Sequence, residues 1–326
     1  MKALRQIGHG DAATALEVVD LPIPTPAVGE IVVQMECAPL HTSDVLNITD
    51  AKRTPTVPRN VGTEGVGRVS AVGDGITTFN VGQRVLPPKR CGTFSEYVVC
   101  AATDAYAAPE HCDAEALSIV QTMGLTAYLL MNDFAQLPAG SWIIQNAANS
   151  STGRILIGLA RHRGLHTINI VRRDQAALEL KALGADVVIT DTADADALAA
   201  KIPPHIEISL GLDMIGGAAT ARLAHCLSKT ATLVLYGANS GAAAQIDFID
   251  LARNNLTVTG FGLSRSFNRF DHAQKAKIMS EIAALAATGV IATPVAARYQ
   301  LSDYQAAFAH AAQSSSDRNG KVIFRF

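Results

Sequence analysis

The chain has little cysteine and no excess charge of either sign. Its five cysteines, Cys37, Cys91, Cys100, Cys112 and Cys226, form no C-x-x-C pair. They are too scattered for a disulfide framework, which leaves reduced, structural thiols. Lys and Arg number 27 against 29 Asp and Glu, a formal net charge of -2. That balance supplies no global basic field for nucleic acid or an anionic membrane. No uninterrupted apolar run approaches the roughly 18 residues of a membrane span. The opening segment MKALRQIGHGDAATALEVVD also lacks the basic stretch, long apolar run and small-residue cleavage site of a secretory signal. A cytoplasmic protein that works on small or locally charged ligands is therefore expected.

What the chain does have is apolar bulk: 48% of its 326 residues are hydrophobic and 17% are charged. That is enough for substantial cores and more than one domain comfortably holds. Up to about residue 125 the runs IVVQMECAPL, VGRVSAVG and RVLPP are short and broken by Gly, Pro, Asn and Asp, the rhythm of a β-rich, twisted or barrel-like domain. From about residue 140 strands and helices alternate, as SWIIQNA, TGRILIGLARHRG, HTINIVR, QAALELKALGA and ADVVIT. This spacing predicts parallel β-α-β units, and ISLGLDMIGG, ATARLAHCLSK, ATLVLYG and LTVTGFG extend them into an open, doubly wound sheet. Beyond about residue 265 come two helical patterns and the terminal strand KVIFRF, which can rejoin the first domain if the α/β domain is an insertion. The expected division is a β-rich catalytic domain from about residues 1–125 and 266–326, and an α/β, Rossmann-type dinucleotide domain from about 126–265.

The segment WIIQNAANSSTG, Trp142 to Gly153, runs from strand to helix, a junction where exposed helix N–H groups can bind a pyrophosphate. Ala147, Ser150 and Gly153 occupy the spaced small positions of a G-x-G-x-x-G turn, and Ser150 and Ser151 add hydroxyl donors. Such turns also arise simply to let a strand and a helix pack. The next strand ends at Arg172 and Arg173, roughly 20 residues on, where an NAD-binding unit carries an acid for the ribose 2′-hydroxyl. An acid would repel a 2′-phosphate, whereas guanidinium groups grip one through forked, charge-assisted hydrogen bonds. NADPH is thus favoured over NADH, although Asp174 can neutralise part of the site. The alternative leaves one or both arginines as solvated surface charges.

These residues, together with GTEGVGRVSAVGDGITTFNVGQRV at 62–85, GTFSEYV at 92–98 and GLTAY at 124–128, resemble the zinc-independent branch of the medium-chain dehydrogenase/reductase superfamily. GLTAY is similar to quinone oxidoreductases, while NAANSSTG at 146–153 and GFGLSR at 260–265 are closer to 2-enoyl thioester reductases. The resemblance implies a GroES-like catalytic domain beside the Rossmann-type one, a nicotinamide cleft between domains, and a homodimer. It also implies pyrophosphate contacts from Ser150, Ser151 and Gly153, and 2′-phosphate contacts from Arg172 and Arg173. Tyr236 and Gly237 would line a ribose region, Phe261 and Gly262 would approach the nicotinamide with Thr126 nearby, and Lys321 would be a C-terminal cofactor contact. Sheet packing, turns, a helix cap and a solvated edge charge are the alternative roles.

Zinc-dependent relatives carry Cys and His at the positions of His41 and Thr63, and a four-cysteine cluster downstream where only Cys91 stands. His41 and Glu64 cannot complete the three or four ligands that zinc takes, so no metal is expected. Without a Lewis acid, an unactivated ketone lacks stabilisation for the developing alkoxide. The small-molecule acceptor should then be electron-poor: a quinone, an enone or an α,β-unsaturated thioester, each of which spreads the new charge onto oxygen. The thioester reductases carry an active-site tyrosine shortly after an N-P-S-D-like segment, and HTSDVLNITDAKRT at 41–54 contains none. Quinones and conjugated carbonyl compounds are therefore the first expectation, with enoyl-CoA or enoyl-ACP reduction as the alternative and a non-catalytic NADPH-binding sensor or structural protein as an alternative of another class. His41 is the candidate to polarise or protonate the substrate, the other reading being a histidine bonded to loop backbone. Asp44 orients that loop or caps a helix start, and Lys52 and Arg53 meet an anionic substrate tail or stay solvated.

Overall fold

A computed structural model describes residues 1–53, 56–313 and 319–326. The chain divides into two compact units, Met1–Thr122 with His272–Phe326, and Met123–Asp271.

The second unit is built on six parallel strands: β1 (Trp142–Gln145), β2 (His166–Val171), β3 (Val187–Thr190), β4 (Ile208–Asp213), β5 (Thr232–Leu235) and β6 (Thr257–Gly260). Their spatial order is β3-β2-β1-β4-β5-β6. Ile168 stands opposite Ile144 on one side and Val187 on the other. Such strands are covered on both faces, which is why they read as near-continuous apolar runs. Ile144, Ile168, Ile189, Leu223 and Leu233 form the core on one face. The helix Ser151–His162 buries Ile155, Leu156, Leu159 and Ala160. It ends where Gly164 takes a left-handed φ of 67° and Leu165 N–H returns to Ala160 O at 2.8 Å. The strand order reverses between β1 and β4, the switch point at which doubly wound sheets bind ligands.

In the first unit the long strand Glu30–Leu40 is the spine. It pairs with Val66–Val72 and Tyr97–Ala101, and its far end takes the C-terminal strand Lys321–Arg325 antiparallel, with Val322 opposite Leu40 and Arg325 opposite Cys37. Val295–Tyr299 lies parallel beside that last strand. A second sheet joins Leu16–Asp20, Lys2–Gln6 and Arg59–Asn60. Phe94 packs edge-on to Phe324 and Phe308, with ring centroids 4.9 and 6.3 Å away. Leu4, Leu40, Ile48 and Val61 complete this core. Burying a side chain of this size stabilises the fold by roughly 1.5–3 kcal/mol. The spine strand gives way at His41 to the helix Thr42–Thr49, so the core fixes where that histidine points. Among the described residues no helix is long and apolar enough to cross a membrane.

Candidate functional site

After β1 the chain turns through Asn146–Ser150 into the helix that starts at Ser151. Two backbone bonds pin this turn to the neighbouring strands: Asn146 N–H to Leu212 O and Ala148 N–H to Ile170 O, both 3.2 Å. Ala147 sits at a left-handed φ of 49°. Gly153 lets the helix close onto the turn, because a Cβ there would stand 2.5 Å from the Ala148 carbonyl oxygen. Ser150 is the N-cap, its Oγ accepting from Gly153 N–H at 3.1 Å. The hydroxyl proton and the first-turn N–H groups without intrahelical partners remain as donors to an anion.

Across the switch point, Asn146 Nδ2 donates to Asp213 Oδ1 at 2.6 Å, and Met214 N–H donates to Asn146 Oδ1 at 2.8 Å. Asp213 is fully buried and also accepts from Ile215 N–H, Gly216 N–H and the Thr220 hydroxyl, at 2.8, 3.0 and 2.6 Å. This carboxylate therefore shapes the loop after β4. Neither Asn146 nor Asp213 stands out in sequence, the only trace of Asp213 being an acid at the end of the apolar run ISLGLD.

Arg172 and Arg173 follow β2 directly and are exposed. The Thr190 hydroxyl donates to Asp174 Oδ1, which turns that carboxylate oxygen toward β3.

In the first unit, His41 is 3% and Glu64 0% exposed. His41 Nε2 stands 2.7 Å from Glu64 Oε1, off hydrogen-bond alignment. The other carboxylate oxygen accepts from Thr122 N–H at 2.9 Å. Lys321, 2% exposed, donates through Nζ to His41 Nδ1 at 2.9 Å and lies 3.4 Å from Leu40 O. An ammonium only donates, so Nδ1 is the acceptor and a neutral ring carries its proton on Nε2, facing the carboxylate. Asp44 Oδ2 accepts from His41 N–H at 2.8 Å and its Oδ1 from the Thr63 hydroxyl at 2.5 Å, fixing the start of the helix.

Residues 27–110 match the alcohol dehydrogenase GroES-like domain, and residues 183–324 match the zinc-binding dehydrogenase family. The mitochondrial enoyl-[acyl-carrier-protein] reductase of Arabidopsis thaliana is 32% identical over 272 residues, covering 80% of this chain and 72% of that protein. The chain belongs to the zinc-independent medium-chain dehydrogenase/reductase superfamily. A mycobacterial quinone oxidoreductase superposes with a TM-score of 0.89 at 25% identity, covering 100% of both chains. A mycobacterial structure complexed with NADPH does so with a TM-score of 0.84, also at 25% identity and 100% of both chains. This medium-chain reductase is accordingly an oxidoreductase with the family's two-part architecture.

The zinc in one matched family's description finds no fit in this reductase. His41 Nδ1 accepts from the Lys321 ammonium and Nε2 faces a carboxylate, so neither nitrogen is open to a metal ion. Among the described residues no group of three His, Cys, Asp or Glu side chains is arranged to hold a metal ion.

A dinucleotide fits better. Tyr236 and Gly237 follow β5, and Phe261 and Gly262 follow β6, so they share the carboxyl edge of the sheet with the turn and the two arginines. Tyr236 N–H donates to Asp213 O at 2.8 Å, while its hydroxyl is buried without a partner among the described residues. Burial, reinforced by the Asp213 charge, pushes that phenol up. Gly237 allows close approach to Met214, whose carbonyl oxygen would lie 2.6 Å from a Cβ. A Cβ at Gly262 would meet only Arg265, at 4.0 Å, so packing within the chain does not demand that glycine. Phe261 is half-buried and packs edge-on to Phe134 at 6.1 Å. Thr126 is partly exposed at the second position of the helix Leu125–Asp133. Lys321 is brought to His41, and Lys52 and Arg53 are exposed.

Proposed function

We propose that this chain is an NADPH-dependent, zinc-independent reductase that delivers hydride to a quinone or to the activated C=C of a conjugated carbonyl compound, and that it acts in the cytoplasm as a homodimer. The observation that carries the coenzyme preference is the pair Arg172 and Arg173, exposed directly after β2 at the position where an acid would select NADH. Asp174, next in the chain, has one oxygen engaged by the Thr190 hydroxyl and keeps its negative charge beside the pair. The Ser150 hydroxyl and the first N–H groups of the Ser151–His162 helix would hold the pyrophosphate, and the orphan Tyr236 hydroxyl would meet a ribose hydroxyl. NADPH, when bound, supplies the hydride. His41 is the proposed proton holder: its Nδ1 accepts from Lys321 and its Nε2–H faces Glu64, so it would serve the charge that develops on the substrate oxygen by exchanging the Glu64 contact for one to the substrate.

The name of the Arabidopsis relative supports enoyl thioesters as the second reading. The absence of a tyrosine between His41 and Arg53 favours acceptors that need less help from an acid. NADPH oxidation measured in parallel with a quinone, an enone and an enoyl-CoA decides between them. Turnover of the first two carries the proposal, turnover of enoyl-CoA alone selects the second reading, and no turnover by folded, NADPH-loaded protein overturns both.

A further inference from the structure

Beside the His41 helix, and within the same unit, lies a small cavity of about 70 Å³ that the proposed reaction leaves unused. Its walls are of two kinds. Ile48, Val61, Phe94 and Phe308 form an apolar side, and Arg53, Arg59 and Arg90 form a cationic one. Asp44 is the one carboxylate among the described lining residues, and its two oxygens already accept from His41 N–H and the Thr63 hydroxyl. Arg53 has a weak, exposed partner in Asp50 at 3.7 Å. Neither Arg59 nor Arg90 forms an ion pair with a carboxylate among the described residues.

Two further observations set Arg59 and Arg90 apart from ordinary surface cations. Arg59 Nε is buried without a hydrogen-bond partner among the described residues, and a buried N–H donor left unmatched is costly. Burial pulls the Arg59 guanidinium down, Asp44 counters this, and Arg90 pulls it down further, so the two cations feel each other across the cavity. Arg90 itself is held at a left-handed φ of 67°, with its N–H donating to Thr63 O at 2.7 Å. That conformation is unfavourable for a residue with a side chain and tends to mark functional positions.

We infer that this cavity is a binding site for a small oxyanion, a phosphate or carboxylate group, gripped by Arg59 and Arg90. Such a group supplies the acceptor oxygens that Arg59 Nε lacks and the negative charge that the two guanidinium groups need, through forked, charge-assisted hydrogen bonds. The apolar wall receives a short alkyl or aryl stem attached to that group. Because Asp44 ties the cavity to the His41 backbone, the anion is either the tail of the electron acceptor or a free anion acting as an effector.

The test titrates the full chain, with and without NADPH, with inorganic phosphate and with butyrate against its neutral counterpart butyramide, followed by calorimetry. Saturable binding of the anions but not of the amide is expected, weakened at least tenfold in Arg59→Gln and in Arg90→Gln and partly recovered in Arg90→Lys. NADPH affinity should stay unchanged in all three. Arg90→Gln alters an exposed side chain, so the test stands even if Arg59→Gln does not fold. No saturable anion binding, or equal binding by parent and Arg90→Gln, overturns the site. A kinetic arm assigns the source: phosphate that raises the acceptor KM alone marks a substrate tail, and phosphate that lowers kcat at saturating acceptor marks an effector. Only this kinetic arm rests on the reductase reading, so failure of turnover and failure of the anion site are separately visible.

Discussion

Lys321 donates to His41 Nδ1 across 2.9 Å although 280 positions separate the two residues. A cofactor contact and a histidine-positioning residue predict different losses. As a positioning residue, Lys321→Met should lower kcat by about 10–100-fold, below the roughly 10²–10⁴-fold of a group that transfers the proton itself, and change the NADPH Kd by less than about twofold. It should also shift the pH profile of kcat, because the ring loses the ammonium that fixes its tautomer. Stopped-flow hydride transfer beside fluorescence titration of NADPH separates the cases. A large rise in Kd with unchanged kcat at saturation would assign Lys321 to the coenzyme instead.

Arg172→Ala and Arg173→Ala should each weaken NADPH by roughly 10–150-fold, the loss of about 1.5–3 kcal/mol expected for a hydrogen bond to a charged group. NADH, which lacks the 2′-phosphate, should lose little. The double variant should bring the two coenzymes close to parity in Kd. Equal losses for both coenzymes would remove phosphate recognition from these side chains.

Asp213 collects four donors at the switch point, from Asn146, Ile215, Gly216 and Thr220. Asp213→Ala would strand all of them in a buried place and should destabilise the second unit by about 3–5 kcal/mol, the range for removing one partner of a buried charged network. Asp213→Asn keeps the shape and should cost less. Denaturant unfolding followed by the fluorescence of Trp142, on β1 of the same unit, reads both. A loss under about 1 kcal/mol in the alanine variant would mean that water takes over the carboxylate's role.

His225 contributes a pH dependence whose sign is fixed by its neighbours. Its ring reaches Asp250 at 2.9 Å through Nδ1 and Asp196 at 3.0 Å through Nε2. Partial burial lowers the imidazole's affinity for a proton, but the two carboxylates outweigh it and leave the group raised above its usual 6.5. A raised folded-state value means the stabilisation is fully present below about pH 6.5 and fades as pH climbs through the folded value. The stability difference between parent and His225→Gln should therefore be greatest, about 1 kcal/mol or less, below about pH 6.5 and shrink as pH rises through the raised folded value. A difference independent of pH would show that protonation of this ring is not what stabilises it.

The fold class was legible because local sequence carries it. LVL is apolar at every position, and TINIV buries all five residues with the polar Asn169 bonded to Thr167 and to Val187 O, as suits a strand covered on both faces. Helix ends were less so: QAALELKALGA reads as one helix, yet Asp174–Ala176 is a tighter turn and the α-helix is confined to Ala177–Ala182, before Gly184 takes a φ of 101°. The site was legible only where one segment contains it, as in the turn around Ser150 and Gly153. Asn146 meets Asp213 from 67 positions away, and His41 meets Lys321 from 280 away. Nothing local encodes such meetings, since they follow from strand order and from the pairing of the last strand with the spine.

Gly153 offers a test that separates the two reasons for a small residue in the turn. If the position is small only to admit a ligand, adding a methyl group should weaken the coenzyme and leave stability alone. The geometry argues otherwise: a Cβ would stand 2.5 Å from Ala148 O and 2.8 Å from its carbonyl carbon, all of it backbone that cannot swing aside. Ala148 is itself pinned to Ile170 O, so the turn would have to break that bond or the helix would have to lift from it. Gly153→Ala should therefore lower stability by about 1–3 kcal/mol, as overpacking does, and should also weaken NADPH, because the displaced helix N–H groups no longer converge. Thermal melting and coenzyme titration of the same sample check both, and a variant with parent-like melting but impaired binding would make Gly153 a ligand-clearance residue rather than a packing one.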